Sequence, residues 1–131
     1  MILVSVTIQH VHLFWTGEHL HARNAQDIFA GASTILLVAY ITAAPIFEET
    51  LVRGYLMTEL IGLSWPAWLA AGASVALQTS YHLYYGLEGA LSLGAGFVVS
   101  AVYFARSRRL MPVILSHLLW DLTATYFSWH R

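Results

Sequence analysis

The chain has 131 residues, the size of one domain, and 58% of them are hydrophobic whereas only 10% are charged. Since a soluble domain usually carries about 25% charged residues, this composition is typical of a protein whose surface faces lipid. The net charge of −1 offers no basic tract for nucleic acid, and the absence of cysteine excludes disulfides, cysteine-ligated zinc and a cysteine nucleophile.

The first two predicted elements precede residue 28. Residues 2–15 are apolar but too few for a full membrane span. Residues 16–27 are polar, which is typical of an aqueous or interfacial loop. The histidines in these segments and at the C-terminus are not expected to form a site; they are His10, His12, His19, His21 and His130.

The second hydrophobic segment covers residues 28–47. It is long enough to cross a bilayer, which takes about 20 residues. Pro45 lies near its end, and proline is well tolerated in the first turn of a helix. We therefore expect a new helix to begin there and to run to residue 60. Glu48 and Glu49 would lie early in that helix, where the helix dipole favours acids.

The third hydrophobic segment is predicted to form a helix from Ser64 to Gly86. Serine is a favoured N-cap residue, and Pro66 fits the first helical turn. At 1.5 Å per residue, His82 would lie about 26 Å along this helix, at a different depth from a residue near the start of another span. A site shared between helices therefore requires tilted or irregular helices, with Pro45 and Gly86 as the places for the irregularity.

Two further hydrophobic segments, residues 87–105 and 110–129, complete the pattern. The first is rich in small residues, which allow helices to approach closely in lipid. Three arginines within residues 106–109 predict that the loop between the two segments lies in the cytoplasm. The sequence therefore predicts an all-α fold, a polytopic transmembrane helical bundle of four to five membrane helices, in a single domain over residues 1–131.

Ionisable groups at membrane depth are energetically expensive and mark candidate functional sites. Glu49 and Arg53 are four residues apart, so they share a helix face and can pair, which is a structural role as readily as a functional one. Glu48 points about 100° away from Glu49 and has no partner at that spacing. Two carboxylates in different surroundings can take different chemical roles, so Glu48 is the stronger candidate for catalysis.

Histidines on two other hydrophobic segments add to this cluster. His117 and Asp121 are four residues apart, so the carboxylate can orient the ring or simply join two helices. His82 lies among tyrosines, where a histidine is commonly structural. Two chemistries fit the combination: Glu48 acts as general base on a water while the histidines polarise a carbonyl, or Glu48, His82 and His117 ligate zinc.

The spacing of these residues resembles that of a known family. Residues 48–54 have the form EExxxRG, His82 follows on the next hydrophobic segment, and His117 and Asp121 form HxxxD. Together they resemble the CPBP family, also called Abi, which contains the type II CAAX prenyl endopeptidases and bacteriocin-processing and immunity relatives. The resemblance covers residues 35–126.

The resemblance implies an intramembrane peptidase with no cofactor. Glu48 would activate the attacking water, His82 would assist it or contact the substrate carbonyl, and His117 with Asp121 would hold the oxyanion. Glu49 and Arg53 would support them. An ionised aspartate cannot donate a hydrogen bond, so Asp121 would be protonated or would orient His117. Zinc remains the alternative.

The chain departs from the family pattern in two respects. Gln78 stands where the family usually has phenylalanine, and the chain is shorter than typical members, as expected of a form short at its N-terminus. The expected partners are membrane lipid and a peptide or prenylated-protein substrate, in a bacterial or archaeal cell membrane. The departures favour an alternative, a non-catalytic protein for bacteriocin self-immunity or scaffolding. A third hypothesis is a membrane protein that handles protons or ions.

Overall fold

The computed structural model describes the backbone of residue 31 and residues 33–129, and it describes side chains as far as Phe127. The predictions for residues 2–15 and 16–27, and for His130, lie outside these residues. The described part contains four main helices and no strand: α1 (Thr34–Gly62), α2 (Ala67–Tyr81), α3 (Gly86–Ser107) and α4 (Met111–Trp129). The all-helical prediction is thereby confirmed for this part of the chain.

Helix α1 is continuous through Pro45, so the prediction that a new helix starts there is wrong. Its first turn is capped by Ser33, whose hydroxyl accepts a hydrogen bond from the Leu36 amide at 3.3 Å. Pro45 removes one amide donor from the helix interior. Beyond Glu49 the helix changes to π geometry over Thr50–Met57 before it ends as Thr58–Gly62. Such π segments are rare in proteins as a whole, but those that occur are often found at functional sites.

Helix α2 differs from its prediction at both ends. Ser64 does not cap it: its φ of 66° places it in the left-handed turn that follows α1, and the helix starts after Pro66. The helix ends at Tyr81, and His82 follows it. A 3-10 turn, Leu83–Tyr85, then leads to Gly86, whose φ of 84° suits glycine. This early end brings His82 to a bend between helices.

Helices α3 and α4 agree with the predicted segments to within two residues at each end. Arg108 follows α3 in the left-handed conformation, with φ 55°, and its amide donates to the Phe104 carbonyl at 2.9 Å. The arginine-rich residues 106–109 therefore join α3 to α4, as predicted. Their position in the cytoplasm stays a prediction.

The helices pack as an antiparallel bundle in which α2 lies along α3 and α1 lies against α4. One core combines the end of α1, the start of α2, the end of α3 and the start of α4; it consists of Met57, Ala71, Ala101, Phe104 and Val113. A Cβ on Gly94 would lie 3.0 Å from the Thr79 hydroxyl. The predicted close approach of small residues therefore occurs between α3 and α2.

The outer surface of the bundle is apolar and its interior holds polar groups. Large hydrophobic side chains are exposed on every helix, among them Ile35, Trp68, Val99 and Leu119, whereas Glu49, Arg53, Ser74 and Gln78 are fully buried. Two helical stretches, Thr34–Gly62 and Leu83–Ser107, are long and apolar enough to cross a membrane. This distribution suits lipid as the surrounding solvent.

Candidate active site

A buried ion pair lies where the α-helical part of α1 meets its π segment. Nε of Arg53 is 3.2 Å from Oε2 of Glu49, and both side chains are excluded from solvent. Arg53 also donates from Nη2 to the Phe97 carbonyl at 3.1 Å, with its guanidinium 5.7 Å from the centre of the Phe97 ring. The predicted Glu49–Arg53 pair is therefore present. The hydrogen bond from Arg53 to Phe97 also links α1 to α3. The attraction between the two buried charges offsets the free-energy cost of removing them from water.

Glu49 is the centre of the polar cluster. Its Oε1 accepts hydrogen bonds from Nη1 of Arg53 at 3.4 Å, Nε2 of Gln78 at 3.3 Å and Nδ1 of His117 at 2.7 Å. These donors come from α1, α2 and α4. An ionised carboxylate is an acceptor only, so all three contacts are of the correct polarity. The same carboxylate thus joins three helices.

His117 is oriented by Glu49 more closely than by Asp121. The distance from Nε2 of His117 to Oδ1 of Asp121 is 3.7 Å, which exceeds hydrogen-bond length, whereas Nδ1 contacts Glu49 at 2.7 Å. The spacing of His117 and Asp121 along α4 correctly predicted that they are neighbours. It did not reveal that a carboxylate on another helix makes the shorter contact.

Glu48 lies beside this cluster in different surroundings. Its side chain is 16% exposed, compared with 1% for that of Glu49. Oε2 of Glu48 accepts from the Tyr81 hydroxyl at 3.0 Å and from Nε2 of Gln78 at 3.4 Å, and it lies 3.9 Å from Nε2 of His82. Among the described residues, no hydrogen bond engages Oε1 of Glu48. Within that range, Oε1 is therefore the less engaged of the two carboxylate oxygens of Glu48.

His82 faces Glu48 through Nε2. Its Nδ1 lies 2.8 Å from the Gln78 carbonyl, and because a carbonyl only accepts, Nδ1 donates. The imidazole is 4.9 Å from the Phe97 ring, which is itself 6.1 Å from the ring of His117. His82 and His117, which full upright spans would place at different depths, therefore both lie near the ring of Phe97.

Sequence reasoning missed three residues that contribute to this site. Gln78 was noted only as a departure from a motif, although a polar amide inside an apolar helix, four residues before a histidine, was a signal. Tyr81 is one of the tyrosines around His82, and the sequence gives no sign that it contacts Glu48. Phe97 had no distinguishing signal, because it contributes a backbone carbonyl and a ring in a helix with many apolar residues.

A zinc site would need three or more histidine or acidic side chains close enough together to bind one ion. Over the described range, no group of three histidine or acidic side chains is placed to hold a metal ion. In particular, Glu48, His82 and His117 do not form such a group. The described residues therefore do not fit a zinc centre.

Comparison with known proteins identifies the family of the chain. The family model described as type II CAAX prenyl endopeptidase Rce1-like matches residues 30–123, more than half of the chain and a range that includes all six candidate site residues. No curated protein and no solved structure matches the chain significantly. The family is one of membrane-embedded proteases, and the two long apolar helices are compatible with it. The chain therefore belongs to the Rce1-like family of type II CAAX prenyl endopeptidases.

Proposed function

We propose that the chain is an intramembrane endopeptidase that hydrolyses a peptide bond of a membrane-associated substrate with a water activated by Glu48. The observation that carries the proposal is the asymmetry between the two adjacent carboxylates. Glu49 is buried and engaged by Arg53, Gln78 and His117. Glu48 is partly exposed, and its Oε1 is not engaged by the described residues. One carboxylate thus holds the site together while the other can act as a base.

In the proposed reaction, Glu48 acts first as a base and then as an acid. Oε1 of Glu48 takes a proton from the water as the water oxygen attacks the scissile carbonyl carbon. The carbonyl oxygen becomes an oxyanion, and Glu48 then gives the proton to the leaving amine as the carbon–nitrogen bond breaks. Nε2 of His82 lies 3.9 Å from the Glu48 carboxylate. With Nδ1 donating to the Gln78 carbonyl, Nε2 accepts from the water, and it donates to the substrate carbonyl only when the ring is protonated.

His117 and Asp121 are proposed to stabilise the oxyanion. Since Nδ1 of His117 is bonded to Glu49, only Nε2 can face the substrate, and it donates when the ring is protonated. Asp121, 3.7 Å from that nitrogen, balances the charge of the imidazolium. A preorganised donor aimed at a developing negative charge is the usual source of such stabilisation.

The surroundings of the site support a substrate that reaches it from the bilayer. The exposed faces of all four helices are apolar, and the family name implies a prenylated C-terminus as the substrate class. We propose that the described helices belong to a bundle of four to five membrane helices in a bacterial or archaeal membrane.

The test is cleavage by Glu48→Gln compared with wild type, in membranes with matched protein levels. The probe is a peptide with a farnesylated CAAX terminus, and its unprenylated form tests the contribution of the lipid. Loss of a general base is expected to lower the rate about 10²- to 10⁴-fold. Glu59→Gln is the matched control, because Glu59 is an exposed acid on the same helix, and it should cleave as wild type does.

Retained cleavage by Glu48→Gln would overturn the mechanism. If wild-type membranes cleave neither peptide while a bacteriocin-immunity phenotype survives Glu48→Gln, the non-catalytic alternative becomes the better explanation. Ion transport that is lost in Glu48→Gln, with no peptide cleaved by wild type, would instead support the third hypothesis.

A further inference from the structure

Gln78 lies at the junction of both carboxylates and one histidine. It is fully buried on α2. Its Nε2 is 3.4 Å from Oε2 of Glu48 and 3.3 Å from Oε1 of Glu49, and its backbone carbonyl accepts from Nδ1 of His82 at 2.8 Å. We propose that Gln78 is a positioning residue of the peptidase site, where its side chain bridges the two carboxylates and its backbone orients the His82 ring. This inference rests on the proposed function.

The amide group suits the bridge chemically. Its nitrogen carries two N–H donors, one for each carboxylate, and it adds no charge. The opposite orientation of the amide would place its oxygen against two carboxylate oxygens, so electrostatics fix the assignment. A donor shared by two adjacent acids offsets their mutual repulsion and fixes the direction of both side chains.

Other groups around the acid pair do not replace this donor. The ion pair of Arg53 is with Glu49, so the hydrogen-bond donors to Glu48 within the described residues are Gln78 and Tyr81. The titratable and charged groups that face the pair from the π segment, α2, the 3-10 turn and α4 are Arg53, Tyr81, His82, Tyr85, His117 and Asp121.

Packing does not explain a glutamine at this position. Its Oε1 is buried and has no hydrogen-bond partner among the described residues. A buried polar atom without a partner is unfavourable, and an apolar side chain of similar volume would avoid that cost. The amide is therefore present for its nitrogen, which meets the two acids.

The experiment compares Gln78→Met, which has a similar volume and no donor, with Gln78→Glu, whose carboxyl donates only when protonated. Because a small misplacement of a reacting group can cost about 100-fold in rate, Gln78→Met should lose up to about 100-fold in kcat with KM within about twofold. The rate of Gln78→Glu relative to wild type should rise as pH falls. Leu77→Met, on the exposed side of the same helix, should match wild type in both kcat and pH profile.

Gln78→Met with wild-type kcat, or a relative rate of Gln78→Glu that does not change with pH, would overturn the proposal. If Gln78→Met does not fold, the pH comparison of Gln78→Glu alone decides. Infrared spectroscopy separates this inference from the proposed function, since it needs no substrate. At neutral pH, Gln78→Met should shift the carboxylate stretching bands that Glu48→Gln and Glu49→Gln identify, because both carboxylates lose a hydrogen-bond donor, and unchanged bands would contradict the bridging role even if wild type cleaves.

Discussion

At the scale of single residues, a buried charge requires an opposite charge and hydrogen-bond partners among its neighbours. Arg53 and Glu49 are both excluded from solvent and paired at 3.2 Å. The attraction between such groups mainly offsets the desolvation that burial requires. The pair instead positions the helices, because Arg53 also hydrogen-bonds to the Phe97 carbonyl on α3 and Glu49 to His117 on α4. Replacing Arg53 therefore removes one of the two basic partners of a buried carboxylate.

Arg53→Met should destabilise the folded protein by about 3–5 kcal/mol, because it leaves the Glu49 carboxylate buried without its ion-pair partner. Thermal unfolding in detergent micelles measures the change. Arg106→Met is the matched control, since Arg106 is exposed in the last turn of α3, and it should unfold at the wild-type temperature. Equal unfolding temperatures for the two variants would show that the buried pair has no structural role.

The sequence located these residues better than it described their contacts. Spacing along a helix predicted the Glu49–Arg53 pair and the proximity of His117 to Asp121. It gave no means of finding that Glu49 contacts His117 across the bundle, 68 positions away along the chain. Contacts between helices depend on the rotation and depth of each helix, which a local pattern does not specify.

At the scale of elements, the site depends on helices that end or change geometry at particular places. The π segment Thr50–Met57 begins directly after Glu49, and α2 ends directly before His82. Gly86 then reverses the chain into α3 with a positive φ. The close contact between Thr79 of α2 and Gly94 of α3 in turn holds α2 at its position along α3. Gln78 and His82 are carried by the same helix, so this contact positions them.

Gly94→Leu should lower stability by about 1–3 kcal/mol and reduce cleavage, because a side chain at this position overlaps Thr79 and moves α2 away from α3. Gly72→Leu on α2 is the control, since a Cβ there meets nothing within 4 Å. Thermal unfolding and cleavage rate together check the expectation. If Gly94→Leu were as stable and active as Gly72→Leu, the close contact between the helices would have no part in forming the site.

At the scale of the whole molecule, the bundle has two distinct ends. The core that joins Met57, Ala71, Phe104 and Val113 lies where α1 passes into α2 and α3 passes into α4. Both connections are therefore at the same end of the bundle. The bend at residues 82–86 is at the other end, because α2 and α3 run from it in opposite chain directions. The arginines of residues 106–109 predict that the first end is cytoplasmic.

The absence of cysteine from the chain makes this topology directly testable. Leu63→Cys, in the exposed connection after α1, and Ser107→Cys, at the end of α3, each introduce a unique thiol. Both should react with a membrane-impermeant maleimide from the cytoplasmic side, in inverted vesicles and not in intact cells. Labelling of the two positions from opposite sides would contradict the packing of the bundle.

By itself, the sequence determined the helical class and the apolar surface, and it predicted six candidate site residues. These follow from composition, hydrophobic run length and spacing along a helix, all of which are local properties. Tertiary structure decided that α1 runs through Pro45, that α2 ends at Tyr81, and that Gln78, Tyr81 and Phe97 complete the site. The physical reason is that packing of one helix on another fixes where each polar group meets its partner, and buried polar groups must find those partners across the bundle rather than along the chain.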